Sequence, residues 1–181
     1  LFRVSFTAPG SERSVLRSPV PKIASDWSRD GKWLVYTSIN PKTKSDIEVV
    51  PVAGGSPRAV IATVAEENSG RLSPDGRWMA YCSNESGGYE VYVQPFPTTG
   101  VKWQVSKGGG QQPQWRRDGA ELFYITPERK VIAVVVAVPW VEAMTRVLPL
   151  ALGVGAVRSR VTMSLPSLIS AFMVVSFWVG F

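Results

Sequence analysis

A ten-residue phrase occurs three times in this chain at a nearly constant interval. The copies are Trp27-Ser-Arg-Asp30-Gly31-Lys-Trp33-Leu-Val-Tyr36, Leu72-Ser-Pro-Asp75-Gly76-Arg-Trp78-Met-Ala-Tyr81 and Trp115-Arg-Arg-Asp118-Gly119-Ala-Glu121-Leu-Phe-Tyr124. The Asp-Gly pairs lie 45 and 43 residues apart. A repeat of this period predicts an array of similar supersecondary units whose neighbours bury one another.

Each unit is predicted to be a four-stranded antiparallel sheet. Asp-Gly between two apolar runs favours a tight hairpin, because glycine adopts the positive φ that such turns require. The first strand of a unit therefore precedes the Asp-Gly turn, and three further strands follow it. These later strands are predicted at 33–38, 46–52 and 58–63 in one unit and at 78–83, 89–95 and 102–106 in the next, with polar loops at 39–45 and 84–88.

The opening residues resemble the second half of such a unit. Residues 1–6, a Pro9-Gly10 turn and residues 14–16 are predicted to form its third and fourth strands. Phe2 is placed in register with Ile47 and Val91, at intervals of 45 and 44 residues. With neither an initiator methionine nor a signal peptide, the sequence is interpreted as a fragment of a longer bacterial protein.

Repeated four-stranded units of this length are typical of a β-propeller, in which each sheet is a blade. The predicted fold class is all-β, with a partial blade at 1–22, blades at 23–64 and 65–107, and a partial blade at 108–136. Residues 137–181 form a divergent apolar tail. The residues predicted to pack between blades are Trp27, Leu34, Tyr36, Leu72, Met79, Tyr81, Trp115, Leu122 and Tyr124.

The repeats resemble the TolB-type, WD-like propeller repeats of bacteria. The resemblance covers residues 1–136 and is carried by the Trp-Ser-x-Asp-Gly-x-Trp-Leu-Val-Tyr motif, the following Asp-Ile-x-Val strand and Gly54-Gly55. The stretch 90–97, with 102–106 and 112–119, is closer to propellers attached C-terminally to bacterial serine/threonine protein kinases. The resemblance implies a non-catalytic protein-interaction or sensory module. Two alternatives to this function stay open: the regulatory propeller of such a kinase, and a TolB-like protein of the periplasm or cell envelope.

The apolar tail departs from the repeat pattern. From Ala143 to Phe181 the only charged residues are Arg146, Arg158 and Arg160. Three interpretations stay open: a short membrane-spanning candidate flanked by arginines, a buried pair of final strands, and a shift of coding frame or assembly artefact. A membrane contact through the tail is therefore one expectation for this chain.

Composition excludes several kinds of chemistry. The chain contains no histidine, so His-dependent triads and His-ligated metals are absent. Its net charge of +6 is spread along the sequence without a basic helix or a nucleic-acid motif, and we expect no nucleic-acid partner. The single cysteine, Cys82, lies in a predicted strand and is interpreted as a small buried residue. No catalytic residue, cofactor or metal is expected, and the repeated aspartates are interpreted as turn residues.

Candidate partner-binding residues lie at the end of the inner strands. They are Trp27, Arg29, Trp115, Arg116 and Arg117. Arginine and tryptophan are enriched among the residues that dominate protein interfaces, and propellers bind partners on their axial faces. The alternative is that the tryptophans are core residues and the arginines solvated turn residues. The expected partners are a protein or peptide and further blades of a longer parent chain.

Overall fold

The computed structural model describes residues 1–5, 7–136 and 175–176, and these residues form strands, turns and loops without a helix. The first sheet is a hairpin of β1 (Phe2–Ser5) and β2 (Ala8–Ser14), which we call the half-blade. Blade 1 contains β3 (Lys22–Trp27), β4 (Trp33–Asn40), β5 (Lys44–Pro51) and β6 (Arg58–Ile61).

No helix in this part of the chain meets the length and hydropathy needed to cross a membrane.

Two further four-stranded sheets follow. Blade 2 contains β7 (Glu67–Leu72), β8 (Trp78–Ser83), β9 (Glu90–Pro95) and β10 (Trp103–Gln104). Blade 3 contains β11 (Gln111–Trp115), β12 (Glu121–Ile125), β13 (Val131–Val135) and β14 (Val175–Ser176). Within each blade the strands pair antiparallel in chain order, as predicted from the repeat.

The tail contributes only β14 to the described structure. Val175 pairs with Ala133 and Ser176 pairs with Ile132, which gives blade 3 a fourth strand. The rest of the tail, on which its three interpretations depend, lies outside the described residues.

Adjacent blades are joined by apolar side chains from facing sheets. Val35, Ile47 and Val49 of blade 1 pack with Leu72, Met79 and Tyr81 of blade 2, and Ala80, Cys82 and Val91 of blade 2 pack with Trp115, Leu122 and Tyr124 of blade 3. We call the face of a blade that is turned toward the preceding sheet its front face. Each fully buried large apolar side chain contributes about 1.5–3 kcal/mol, so these faces supply most of the core energy.

The first strands of the blades form the inner edge of the array. β3 contacts β7, and β7 contacts β11, whereas no comparable contact joins the last strands β6 and β10. Each of these inner strands also has a register irregularity, between Ala24 and Asp26 in β3, Asn68 and Arg71 in β7, and Gln111 and Gln114 in β11. Bulges increase local twist, which is consistent with a radial arrangement.

Two predictions about strand limits were wrong. β4 and β5 pair as far as Asn40 and Lys44, so the hairpin loop is shorter than the predicted 39–45. Lys44 allows this by adopting a φ of 71°. The Pro9-Gly10 pair lies inside β2 and does not form the turn. The register shifts between Arg3 and Ser5, which places Gly10 (φ 82°) in a bulge.

The predicted register of the half-blade was wrong by one residue. The Leu1 carbonyl accepts hydrogen bonds from the amides of Val15 and Leu16, as the Val91 carbonyl accepts them from Val105 and Ser106. Leu1, and not Phe2, therefore occupies the position of Val91. A one-residue slip moves a side chain to the opposite face of a sheet, and Phe2 is accordingly 69% exposed.

Candidate interaction surface at the Asp-Gly turns

The repeated motif builds a compact hydrogen-bonded turn. In blade 1 the Ser28 hydroxyl donates to Asp30 Oδ1 (2.6 Å) and accepts from the Trp33 amide (2.8 Å), while the Lys32 amide also donates to Asp30 Oδ1 (3.1 Å). Gly31 adopts a φ of 74°, which explains why glycine follows the aspartate. The hydrogen bond from Ser28, with that from the Lys32 amide, lowers the pKa of Asp30 to about 2.

The blade 2 turn repeats this arrangement. Ser73 donates to Asp75 Oδ1 (2.5 Å), and the amides of Arg77 and Trp78 donate to Asp75 and Ser73. The repeated aspartates thus have a structural role in each turn. In the part of the chain that the structure describes, no group of three or more Cys, Asp or Glu side chains could hold a metal ion.

Blade 3 closes its turn with an arginine in the serine position. Arg116 Nε and Nη2 donate to the two carboxylate oxygens of Asp118 (2.7 and 2.8 Å), and Nη1 donates to Glu121 Oε2 (2.8 Å). These bonds, with one from the Ala120 amide, lower the pKa of Asp118 to about 2. Arg116, one of the predicted partner-binding residues, therefore forms a bidentate ion pair with Asp118 of its own turn.

The turns of all three blades come together at one end of the inner strands. A methyl group added at Gly119 would lie 3.5 Å from Pro74 Cδ, so the turns of blades 2 and 3 are in contact. Arg29 extends across this point and donates from Nη1 to the Arg117 carbonyl oxygen (2.6 Å). Arg29, Pro74 and Arg117 occupy the same motif position, and the Arg29 side chain reaches the Arg117 backbone across the turn of the middle blade.

The two tryptophans that were predicted to bind a partner have different environments. Trp115 is 7% exposed, and its indole Nε1 donates to the Arg71 carbonyl oxygen of blade 2 (3.1 Å). It is a core residue. Trp27 was also predicted to pack between blades, but it is 41% exposed. The reason is that β1 and β2 cover only the outer part of the blade 1 front face, whereas β7 and β8 cover Trp115.

A second feature of the inner strands was not predicted from the sequence. Ser69 and Gln112 occupy equivalent bulge positions and adopt left-handed backbone conformations, with φ of 57° and 53°. Both contact the buried Cys82, whose pKa burial raises to about 11. Gln111 and Gln114 are exposed beside this bulge. The only signal for these bulges in the sequence is that β7 and β11 are polar and lack a regular alternation of apolar and polar residues.

Comparisons with known proteins agree with this architecture. TolB from Acinetobacter baumannii matches 70% of this chain with a TM-score of 0.62 and 18% sequence identity, and the chain spans 32% of that protein. A protein assigned as TolB from Agrobacterium tumefaciens matches 69% of the chain with a TM-score of 0.50 and 19% identity, over 62% of its own length. No family model and no curated protein matches the sequence.

The chain is thus a segment of a β-propeller, which confirms the predicted all-β fold class. Its structural neighbours include TolB-type propellers. At these identities the likeness establishes the fold alone.

Proposed function

We propose that this chain is a non-catalytic interaction module that binds a protein or peptide at the end carrying the Asp-Gly turns. The observation that carries the proposal is the contact between Arg29 and Arg117. Both side chains are exposed, and neither forms an ion pair with a carboxylate of residues 1–5 or 7–136. The fold therefore brings the Arg29 guanidinium of blade 1 to the backbone of Arg117 in blade 3, and neither arginine has a carboxylate partner among those residues.

The chemistry of this pair favours a partner with carboxylate groups. Exposed cationic side chains on neighbouring turns attract an anion, and the attraction strengthens as the anion comes closer. Arginine presents its donors in a planar fork that matches a carboxylate bidentately. Hydrogen bonds to charged groups contribute about 1.5–3 kcal/mol each. An acidic peptide segment is thus the partner class that Arg29 and Arg117 fit best.

The neighbouring charges support this assignment. Lys32 pairs with Asp30 (3.2 Å), and Arg77 pairs with Asp75 (2.7 Å). The three repeated aspartates are held by hydrogen bonds inside their own turns, so their charges are partly compensated. Among the arginines of the repeated motif, Arg29 and Arg117 then remain as exposed cationic groups without a carboxylate partner in residues 1–5 and 7–136.

A displayed library of random peptides tests the proposal, because such a library does not presuppose one particular partner. We expect the wild-type chain to select peptides rich in Asp and Glu, and the double variant Arg29→Glu/Arg117→Glu to lose them. The matched control is Lys42→Glu/Lys107→Glu, which makes the same charge change in exposed loops at the opposite ends of β4 and β11. If the control loses the selected peptides as completely as the first variant, or if the selected peptides are not acidic, the proposal is wrong.

The same proposal extends to the parent protein in two forms. The TolB-type fold supports a cell-envelope or periplasmic protein, and the stretch 90–97 supports the regulatory propeller of a serine/threonine kinase. The coding sequence upstream of Leu1 distinguishes them. A signal peptide with a small α/β domain supports the first form, and a kinase domain with a membrane span supports the second.

A further inference from the structure

Arg58, in the last strand of blade 1, is held against two aromatic side chains. Its guanidinium carbon lies 4.4 Å from the ring centroid of Trp33 in β4 and 5.5 Å from that of Phe96, which follows β9 of blade 2. The two rings meet edge to face with centroids 6.1 Å apart, and both pack against the core that joins blades 1 and 2. We call Arg58, Trp33 and Phe96 the arginine platform.

The arginine platform lies toward the same end of the segment as the Asp-Gly turns. Trp33 begins β4 directly after the blade 1 turn and pairs with Pro51, while Arg58 begins β6 opposite Val49. Only β5 separates β4 from β6, so the axes of these two strands are about 10 Å apart. A peptide with three or more extended residues can cross this distance, from the turn that carries Arg29 toward Arg58.

The charge of Arg58 is not needed to cover Trp33. Blade 2 carries Trp78 at the motif position of Trp33, and Trp103 at the same position in its sheet as Arg58. Trp103 meets Trp78 edge to face, with ring centroids 6.0 Å apart. An uncharged aromatic side chain therefore provides the equivalent cover in blade 2, and packing alone does not explain an arginine in blade 1.

No acidic side chain of the described residues neutralises this arginine. Arg58 is exposed, and its guanidinium forms neither an ion pair nor a hydrogen bond with residues 1–5 or 7–136. The loop 52–57 that leads into it and the loop 96–101 that begins at Phe96 contain no Asp or Glu. Stacking on the rings leaves the N–H groups at the guanidinium edge open, and this planar fork matches a carboxylate. It also restricts the side chain before binding, which lowers the entropy lost when an anion binds.

We propose that the arginine platform binds a second carboxylate of the acidic peptide, in addition to the one bound near Arg29 and Arg117. This inference rests on the proposed function, because it describes a further anchor for the same partner. The partner then carries at least two acidic side chains, one at the Asp-Gly turns and one at Arg58. A peptide with a single acidic residue should bind more weakly.

Replacing Arg58 with the blade 2 residue tests the inference. Arg58→Trp keeps an aromatic cover over Trp33 and removes the charge, so the urea midpoint should stay nearly unchanged. The affinity for an acidic peptide selected from the displayed library should fall at least about tenfold at low salt. Arg58→Met, whose unbranched side chain also covers the indole, provides the same test if the tryptophan does not pack there.

The matched control is Arg129→Asn, which removes one positive charge from an exposed loop at the opposite end of blade 3. Arg129 has a φ of 61°, which asparagine also adopts readily, so this change should alter neither stability nor affinity. A loss of affinity in the control as large as in Arg58→Trp would overturn the inference, because it would show an effect of overall charge. A loss of affinity that accompanies a large loss of stability in both Arg58 variants would also overturn it, because Arg58 would then be a packing residue.

A double-mutant cycle identifies the contact. Each acidic residue of the selected peptide is replaced by its amide, and its coupling to Arg58→Trp and to Arg29→Glu is measured. We expect one acidic position to couple to Arg58 by at least about fivefold, and a different position to couple to Arg29. Unchanged affinity of both Arg58 variants, with binding lost in Arg29→Glu/Arg117→Glu, would overturn the second anchor and leave the proposed function intact. A library that yields no acidic peptides would refute the proposed function and the second anchor together.

Discussion

Gly70 provides a sharp test of how closely blades 1 and 2 pack. A methyl group added at this position would lie 2.9 Å from Ile47 Cγ2 and 3.0 Å from Val35 Cγ1. Both side chains are fully buried, and their β-branches restrict rotation about χ1. Neither can move aside without disturbing the interface. Gly70→Ala should therefore push the two sheets apart.

The expected cost follows from two opposing effects. Overpacking a well-packed core typically costs about 1–3 kcal/mol. Alanine also restricts the unfolded chain more than glycine does, which by itself stabilises a protein by about 0.4–1 kcal/mol. The net prediction is that Gly70→Ala lowers the free energy of unfolding by about 1–2 kcal/mol.

Urea denaturation measures this change, with Gly88→Ala as the matched control. Gly88 has no heavy atom within 4 Å of an added methyl group and no positive φ, so its substitution should cost little. Ile47→Ala removes the nearest clashing atom, and in that background the penalty of Gly70→Ala should shrink. Equal stability of the Gly70→Ala and Gly88→Ala variants would refute the close approach of the blades.

Three further predictions concern burial and charge. Trp115→Ala should lower the free energy of unfolding, measured by urea denaturation, by about 3–5 kcal/mol. Trp27→Ala should lower it by well under half of that amount. Equal losses of stability would contradict the different burial of the two rings. The Cys82 thiol, buried and with its pKa raised to about 11, should react with a thiol reagent at pH 8 only after unfolding, and rapid reaction of the native chain would contradict its placement. Because the pKa of Asp30 falls from 3.8 to about 2 on folding, its charge stabilises the fold above pH 4 and this advantage disappears as the pH falls through 2. The stability difference between wild type and Asp30→Asn should accordingly shrink over that range, and a difference independent of pH would refute the assignment.

The repeat made the architecture predictable, because each Asp-Gly pair marks a hairpin. The position of such a hairpin is determined by the residues of the turn itself. The strand limits of β8 were predicted without error, at 78–83. The error at Pro9-Gly10 has a general cause. A proline-glycine pair is compatible with a bulge as well as a turn, and only pairing with β1 selects between them.

The candidate site was less predictable because it depends on contacts between blades. That Arg29 reaches Arg117, 88 residues away, cannot be deduced from either turn alone. The exposure of Trp27 could not be foreseen for the same reason, since burial at this motif position depends on whether a hairpin of the preceding blade lies over it. The ion pairs of Arg116 could have been predicted from the sequence, because Asp118 and Glu121 follow it within the same turn.

The proposed function requires that the Asp-Gly end of this propeller segment binds a carboxylate-bearing partner. Its most direct test is amide hydrogen exchange of the wild-type chain with and without an acidic peptide selected from the displayed library. We expect slower exchange in the turns 28–32 and 116–120, which carry Arg29 and Arg117. Protection confined to the loops 41–43 and 84–89 at the opposite end, or none at all, would contradict it.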